Sequence, residues 1–393
     1  MAQITLEEVI TYRNFFTALR DCNHTVSFKL SVQKYNAMAA NIIAQDIKAI
    51  RKGKIPEVTN TKQIIIFERG KKRIITPIDI RDRVIQKVLC EKVLIPSITP
   101  HLIYDNGASL AGKGTDFARK CLNQFLEKAK REYGADKVYA LLFDFRNYFD
   151  SIPHRECYRV LKKYVSDERL VNLIIGIIES YKLKDIDSIE DREEKEAAIN
   201  RLNRHEWTGI CLGSQISQIM AVTVPNDFDH FIKEKLRMKY YLRYMDDGII
   251  LHNDKAHLME IMRTLKAEAV KYGLKLHDRK TYITKATKGF TFLKIKYRFD
   301  GNRTVKRLTR PGITRERRRL KAFAVKVRDG SMTIEDVYNN MQSWNAHSAA
   351  AKCYTTTKAM FKLYDQKFGG YGMTRKYYRE HPDIKRKRKV VRI

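Results

Sequence analysis

The spacing of apolar residues predicts a chain that mixes helices and strands over its first 300 residues. Apolar runs between turn residues indicate strands over 64–67, 72–76, 137–145, 240–243, 248–251 and 290–297. Apolar positions at helical spacing predict helices over 79–93 and 255–272. After residue 300 the pattern is helical, first through Val327 and then from Thr333 to about Lys367. The pattern as a whole predicts an α+β chain with a helical C-terminal part.

The charge of the chain is unevenly distributed. Lys and Arg number 77 against 45 Asp and Glu, which gives a net charge of +32, and residues 301–393 hold 24 − 7 = +17 of it. We therefore predict a domain over 1–300, a basic helical domain over 301–370 and a basic tail over 371–393. Taken alone, the run Lys385–Lys389 in this tail is typical of a solvated segment. Residues 182–206 are charged and poor in large apolar side chains, which predicts an exposed insertion.

This positive excess favours a polyanionic partner, either nucleic acid or an acidic membrane surface, over the substrates of an ordinary metabolic enzyme. No run of about 18 apolar residues is present, so we expect no membrane insertion. The first residues include Glu7 and Glu8 and lack a long apolar segment, so we expect no signal peptide. The six cysteines form no CxxC motif, which indicates reduced thiols and a cytoplasmic location.

Three carboxylates carry the candidate chemistry. Asp246 and Asp247 stand between two predicted strands, and an acidic pair in that position is, taken alone, more often only a turn. Asp144 changes this interpretation because it ends the apolar run that begins at Leu141. Buried, ionised carboxylates need a counter-cation. Oxygen ligands from two strand ends of one sheet suit Mg²⁺ and two-metal phosphoryl transfer.

The order of the short motifs resembles that of reverse transcriptases of the bacterial retroelement type, related to group II intron, retron, diversity-generating and antiphage-defence enzymes. The resemblance runs from about 71 to 297. It consists of two fingers motifs (72–77 with 82–86, and 106–109 with 112–114), the first palm motif (144–150), a grip motif (213–218), the catalytic turn (244–247), and the late palm and primer-grip motifs (280–281 and 289–293). It implies a right-hand polymerase fold with fingers, a palm built on an antiparallel sheet, and a helical thumb.

The resemblance also implies roles for individual residues. The metal ligands are Asp144, the backbone carbonyl of Phe145, Asp246 and Asp247, and Lys280 is the general acid for the pyrophosphate leaving group. The nucleotide-binding residues are Lys72, Arg73, Phe149, Leu212, Gly213, Gln215 and Ser217. The nucleic-acid-binding residues are Tyr244, Met245, Phe292, Leu293, Lys294, Arg315, Arg318 and Arg319. For Lys72, Arg73, Lys280 and Lys294 a solvent-facing position stays open.

Three further positions refine the expected activity. Phe149 is five residues past the first catalytic Asp, where a bulky ring would clash with a ribose 2′-OH, which favours DNA synthesis. Leu212 stands where the family commonly has Gln, and an apolar side chain cannot hydrogen-bond there, which puts ordinary fidelity in question. Diversity-generating enzymes resemble this chain at Leu212 and at Gln218, which replaces a common Pro. Lys294 replaces the Gly of a Phe-Leu-Gly motif.

The resemblance implies an RNA-directed DNA polymerase that requires two Mg²⁺ ions, with Mn²⁺ as a substitute. The expected partners are an RNA template of dedicated non-coding type, a DNA product or primer, and dNTPs, while a homo-oligomer or accessory protein is left open. Antiphage defence is the expected setting, and diversity generation or a catalytically silent RNA-binding scaffold are the alternatives. An RNA-templated RNA polymerase would share the metal site, but Phe149 speaks against it.

Overall fold

The computed structural model describes residues 4–24, 26–56, 58, 64–68, 71–372 and 379. These residues form two compact units, each assembled from separate stretches of the chain. The first unit comprises Met1–Cys121, Leu141–Ile250 and Ala256–Tyr282, and the second comprises Leu122–Ala140, Leu251–Lys255 and Ile283–Ile393.

The described part of the chain contains helices and strands in the mixture that the sequence predicts. The helices are α1 (Leu6–Val9), α2 (Tyr12–Asn23), α3 (Leu30–Arg51), α4 (Ile80–Leu89), α5 (Ile95–Ile98), α6 (Thr115–Tyr133), α7 (Tyr148–Ser151), α8 (His154–Tyr164), α9 (Glu168–Asp187), α10 (Arg192–Asn203), α11 (Gln215–Thr223), α12 (Asn226–His230), α13 (Lys255–Lys271), α14 (Arg310–Arg328), α15 (Ile334–Ala350) and α16 (Tyr354–Phe368). The strands are β1 (Ile64–Glu68), β2 (Lys71–Ile75), β3 (Tyr139–Asp144), β4 (Tyr240–Tyr244), β5 (Asp247–His252), β6 (Tyr282–Lys285), β7 (Phe290–Phe292), β8 (Ile295–Asp300) and β9 (Arg303–Leu308).

The N-terminal helices of the first unit pack on the helix that follows the β1–β2 hairpin. Helices α2 and α3 both contact α4. The buried residues of α2 recur at three- and four-residue spacing, as expected for an amphipathic helix with one face in the core: Phe15, Ala18, Leu19 and Cys22. A forked ion pair adds to this packing, since Nη2 of Arg81 lies 2.6 Å from Oδ1 of the buried Asp46.

The sheet of the first unit places β5 between β4 and β3. Residues 140–144 of β3 and 240–243 of β4 are all buried, so both faces of these strands are covered, and buried and exposed positions do not alternate. Strand β5 approaches β3 closely at Gly248, where an added Cβ would lie 2.1 Å from Cζ of Phe143. Glycine is therefore required immediately after the second Asp of the turn.

Residues 182–206, predicted as an exposed insertion, contain ordered helix on both sides of a short connection. Helix α9 continues to Asp187, and α10 begins five residues later at Arg192. The two helices enclose a small apolar cluster of Ile186, Ala198 and Leu202, against which Ile189 and Trp207 pack. The indole N–H of Trp207 donates to the carbonyl of Ala198 at 3.2 Å. The segment therefore has a core of its own, although most of its remaining side chains are exposed.

The second unit contains a three-stranded antiparallel sheet in the order β7-β8-β9, followed by helices α14, α15 and α16. The prediction of one strand over 290–297 is wrong, because β7 and β8 form a hairpin across the two-residue turn Leu293-Lys294. Both turn residues have left-handed φ, 46° and 68°. The apolar residues on both sides of the turn suggested one continuous strand, and in the structure Phe290, Phe292, Ile295 and Tyr297 are all buried.

The helical stretch predicted from Thr333 to Lys367 is two helices. Helix α15 ends at Ala350 and α16 begins at Tyr354, with Lys352 at φ 50° between them. The helices bury Trp344, Met341, Met360 and Tyr364. The domain boundary near residue 300 stays a prediction; of the residues after it, the described ones form strand β9 and then three helices. The run Lys385–Lys389 lies outside the described residues.

Candidate active site

Two strand ends of the first unit bring the predicted carboxylates together. Asp144 is the last residue of β3, Asp247 is the first of β5, and Asp246 lies in the turn that precedes it. The side chains of Asp144 and Asp247 share a hydrogen bond. The backbone joins the same two elements, since the N–H of Phe145 donates to the carbonyl of Asp246 at 3.1 Å. Residues about 100 apart in the sequence thus form one acidic cluster.

The electrostatics of this cluster are unfavourable for three ionised carboxylates. Burial, together with the neighbouring charges of Asp246 and Asp144, raises the pKa of Asp247 from 3.8 to about 7. Lys280 acts in the opposite direction on the same pKa. The site therefore holds more negative charge than its own side chains neutralise.

Lys280 is the cation that the fold supplies to this cluster. Its Nζ lies 2.7 Å from both carboxylate oxygens of Asp144. The preceding turn holds it there, because the N–H of Lys280 donates to the carbonyl of His277 at 3.1 Å, and the N–H of His277 donates to the carbonyl of Asp144 at 2.7 Å. The alternative that Lys280 only faces solvent therefore does not hold, because its ammonium contacts the carboxylate of Asp144 directly.

The donor set of this cluster fits a divalent metal of the hard type. Within the described ranges no group of three or more His, Cys, Asp or Glu side chains has the arrangement of a complete metal site. The chemistry is nevertheless suitable, because Asp144, Asp246 and Asp247 offer only oxygen ligands, and burial together with the neighbouring carboxylates disfavours the ionised form of Asp247. These three carboxylates are the oxygen donors that the cluster offers to such an ion.

The predicted sugar-contacting residue, Phe149, lies on the short helix α7 just beyond β3. The chain reaches α7 through Asn147, whose φ of 47° is left-handed, and the ring of Phe149 packs edge-on against Tyr148 at 5.8 Å between centroids. The carbonyl of Phe149 accepts from the N–H of Ile210 at 2.9 Å. Phe149 is thus tied to the segment that enters the grip motif, and its half-buried ring is not part of the core.

The predicted grip motif forms the start of helix α11. Ser214 caps it by accepting from the N–H of Ser217 at 3.2 Å. Gly213 has a φ of 120°, and a Cβ there would lie 3.1 Å from the carbonyl oxygen of Thr76, so the position requires glycine. Leu212 is half-buried, next to Cys211, whose pKa burial raises to about 11.

The grip motif is fastened to the fingers region by Gln86. Its Oε1 accepts from Oγ of Ser214 at 2.9 Å and from the N–H of Gln215 at 3.1 Å, while its Nε2 donates to the hydroxyl of Tyr181 at 2.7 Å. A cavity of about 340 Å³ opens beside this contact, lined among others by Thr76, Arg83, Gln86, Gly213 and Gln215. The resemblance places Gln86 in a fingers motif but gives it no role of its own; the structure buries its amide on α4, where the polar atoms need partners.

A buried ion pair next to the turn of Asp246 and Asp247 was also not predicted from the sequence. Arg243 and Asp229 are both fully buried, and Nη2 of the arginine lies 2.6 Å from Oδ2 of the aspartate. The signal was an arginine inside the apolar run of β4, a position where a charge is costly unless it is paired.

Other predicted site residues lie in the second unit or outside the described side chains. Phe292 and Leu293 are buried at the β7–β8 turn, and Lys294 is exposed beside them. On α14, Arg315 and Arg318 are exposed, whereas Arg319 is paired with the buried Glu316 at 3.1 Å. The backbones of Lys72 and Arg73 lie in β2, but their side chains fall outside the described part of the structure.

Comparison with known proteins gives the following matches. A family model described as reverse transcriptase (RNA-dependent DNA polymerase) matches residues 50–297. Among solved structures, apo telomerase from Candida tropicalis, truncated from its C-terminal domain, is similar at a TM-score of 0.45 and 14% identity, over 70% of this chain and 60% of that one. Telomerase from Candida albicans in complex with the TWJ fragment of telomeric RNA is similar at 0.44 and 12%, over 78% and 54%.

This chain spans less than two thirds of the length of either telomerase chain. The search of curated proteins finds no match. Among the described residues, no helix combines the length and the apolar character needed to cross a membrane.

Proposed function

The chain belongs to the reverse transcriptase family of RNA-directed DNA polymerases, and from this premise we propose that it extends a DNA primer, or another hydroxyl, on an RNA template at the cluster of Asp144, Asp246 and Asp247. The observation that carries the proposal is the convergence of these carboxylates from the ends of β3 and β5, where burial and the two neighbouring carboxylates raise the pKa of Asp247 to about 7. Such a cluster is unfavourable in a merely structural turn and suits nucleotidyl transfer.

The three carboxylates, with the carbonyl of Phe145, would hold two Mg²⁺ ions, or Mn²⁺ in their place. Bound divalent ions supply positive charge that activates the attacking hydroxyl and offsets charge on the leaving pyrophosphate. The protein's own part is to place the oxygens, and the bound cations would favour their ionised form. The hydrogen bond from Phe145 to the turn supports this, because it fixes the end of β3 against Asp246.

Lys280 is the proposed proton donor in this reaction. In the described structure its ammonium is engaged with Asp144, at 2.7 Å from each oxygen. A substrate phosphate near Asp144 would be within reach of the same flexible side chain. Protonation of the leaving pyrophosphate oxygen by Lys280 would complete the reaction as general acid catalysis.

The nucleotide side of the site would be formed by Phe149 and the grip motif. The hydrogen bond from the N–H of Ile210 to the carbonyl of Phe149 supports one nucleotide pocket formed by Phe149 and the grip motif. It joins Phe149 to the segment that continues into Leu212 and Gly213. Gln215 and Ser217 on α11 complete this set, with Lys72 and Arg73 as the proposed triphosphate contacts. Phe149 would exclude the 2′-OH and so select dNTPs.

The proposed nucleic-acid contacts are Tyr244 and Met245 in the first unit and, taken by themselves, the β7–β8 tip and the basic helix α14 in the second unit. The exposure of Arg315 and Arg318 supports phosphate contacts, whereas Arg319 already has Glu316 as its partner. We propose a bacterial retroelement type of enzyme that copies a dedicated non-coding RNA, with antiphage defence as the setting and diversity generation as the alternative. The cytoplasmic location stays a prediction.

The test is primer extension on a defined RNA template with annealed DNA primer, dNTPs and Mg²⁺. Asp246→Asn combined with Asp247→Asn should abolish incorporation while RNA binding is retained. The control is Asp136→Asn, which makes the same kind of substitution once, at an exposed position in the turn before β3. Incorporation by the double variant at the wild-type rate would refute the site. A wild-type protein that binds RNA but incorporates no dNTP would support a silent RNA-binding scaffold instead.

A further inference from the structure

The arginine that precedes the catalytic turn is a fully buried cation inside an otherwise apolar strand. Arg243 is 0% exposed, and its neighbours Tyr241 and Leu242 in β4 are equally buried. A cation is carried into such surroundings only when its hydrogen-bonding capacity is met by fixed partners. The partners of Arg243 therefore indicate the role of this residue.

Asp229, which is also fully buried, provides the charge that balances Arg243. The guanidinium grips it as a fork, with Nε 2.7 Å from Oδ1 and Nη2 2.6 Å from Oδ2. The hydroxyl of Tyr241 donates to the same carboxylate at 2.6 Å. A forked pair of this kind fixes the plane and direction of the guanidinium, which an ammonium group cannot do.

The remaining donors of Arg243 reach two carbonyls that belong to the proposed active site. Nη1 donates to the carbonyl of Met245, inside the turn that carries Asp246, at 3.0 Å. Nη2 donates to the carbonyl of Val222, near the C-terminal end of the grip helix α11, at 2.8 Å. Carbonyls in the last turn of a helix lack intrahelical partners and favour a nearby cation. One side chain thus bridges the carboxylate turn and the grip helix.

The turn has a local reason to need such a contact. Met245 has a φ of 53°, a left-handed conformation that a residue with a Cβ adopts only at a cost. The carbonyl that Arg243 holds belongs to this strained residue. The backbone of Arg243 is itself fixed, because its N–H donates to the carbonyl of Asp105 at 3.3 Å and its carbonyl accepts from Gly107 at 2.8 Å.

We propose that Arg243, oriented by Asp229, is a positioning residue that holds the Met245 carbonyl and so sets Asp246 and Asp247 in register with the grip helix α11. The proposal rests on the proposed polymerase function and adds to it a specific source of preorganisation. It treats the buried pair as part of the device that aims the carboxylates, and not only as a contribution to folding.

The variant Arg243→Lys tests the positioning role, because it keeps the positive charge but loses the two-pronged contact of the guanidinium with Asp229. An ammonium group cannot donate hydrogen bonds to the carboxylate of Asp229 and to the carbonyls of Val222 and Met245 with the planar geometry of a guanidinium. Losing one hydrogen bond from a charged donor corresponds to roughly a 10- to 100-fold effect, so kcat for dNTP incorporation should fall by that factor. KM for dNTP should stay within about threefold, because no side chain that contacts the nucleotide changes.

The control is Arg81→Lys, which makes the same change in the forked pair with Asp46 on α3 and α4. It should lower thermal stability without this loss of kcat. The second measurement is the affinity for Mn²⁺ alone, determined by electron paramagnetic resonance. This affinity should not change if Arg243 only stabilises the fold. We expect roughly tenfold weaker Mn²⁺ binding in Arg243→Lys and unchanged binding in Arg81→Lys.

Two outcomes would overturn the proposal: a folded Arg243→Lys protein with kcat and Mn²⁺ affinity within threefold of wild type, or equal losses in Arg81→Lys. If Arg243→Lys does not fold, Asp229→Asn replaces it, since it leaves the arginine in place but weakens the fork. That variant should show the same changes to a smaller degree, and wild-type values in it would also refute the role. A wild-type protein without polymerase activity would refute the proposed function, while the Mn²⁺ comparison would still test the positioning.

Discussion

Replacing Asp247 by Asn should stabilise the metal-free protein at neutral and alkaline pH, although the same change should abolish DNA synthesis. Asp247 lies against Asp144 and Asp246 in a partly buried site, and its pKa of about 7 means that the folded state resists ionising it. Asn keeps the shape of the side chain and can donate to Asp144, as the protonated carboxyl does. The substitution therefore removes a repulsion and keeps the hydrogen bond.

The magnitude follows from the two pKa values. The ordinary pKa is 3.8 and the folded-state pKa is about 7, a difference of about three units at ~1.4 kcal/mol each. Between these values the folded state binds one more proton than the unfolded state, so the free energy of unfolding falls as pH rises and then levels off above about 7. The difference between Asp247→Asn and wild type should grow by up to about 4 kcal/mol across this window.

The assay is urea unfolding with a chelator present, at several pH values between about 4 and 8, for both proteins in parallel. At each pH, the free energy of unfolding of wild type is subtracted from that of Asp247→Asn. The prediction concerns how this difference changes with pH. Asp136→Asn, at an exposed position, should show no such pH dependence. A constant difference between Asp247→Asn and wild type over the whole range would refute the argument that burial and the neighbouring carboxylates disfavour the ionised form of Asp247.

Four further outcomes are expected. Phe149→Ala should admit ribonucleotides, because the ring that would meet the 2′-OH is lost; an unchanged ratio of dNTP to NTP incorporation would show that another side chain guards the sugar. Leu212→Gln should alter the misincorporation spectrum on a defined template, and identical spectra would remove the main reason to consider diversity generation. Lys280→Gln should lower kcat by about 10²- to 10⁴-fold if Lys280 is the general acid, and an unchanged kcat would leave it only as the partner of Asp144. Deleting residues 385–393 removes six cations and should make the log–log salt dependence of RNA binding shallower, by about 0.7 per lost single-strand phosphate contact; an unchanged slope would assign the contacts to α14.

The sequence was most informative where a pattern is local. The apolar run that ends in Asp144 and the acidic pair between two strands each predict an element, and both elements exist as β3 and the β4–β5 turn. Their contact was predicted from the order of the motifs, and the structure does bring Asp144 and Asp247 together. The catalytic roles of these residues stay predictions.

The sequence was least informative where a contact joins residues that are distant along the chain. The pairing of Arg243 with Asp229 and the links from Gln86 to Ser214 and Tyr181 depend on packing between helices and a strand end, which periodicity does not report. The hairpin turn at Leu293-Lys294 was missed because two left-handed residues without glycine give no turn signal, and only the shift of the buried apolar positions from 290 and 292 to 295 and 297 marks it.

The position of the two tryptophans has a practical consequence. The chain contains two, Trp207 in the first compact unit and Trp344 in the second. Trp207 packs against the small cluster of α9 and α10, and Trp344 is buried in α15. Because each ring reports on its own surroundings, Trp207→Phe and Trp344→Phe would give proteins whose intrinsic fluorescence follows one unit at a time. Coincident melting curves would identify a single cooperative transition, and separate ones would order the loss of the two units without any attached dye.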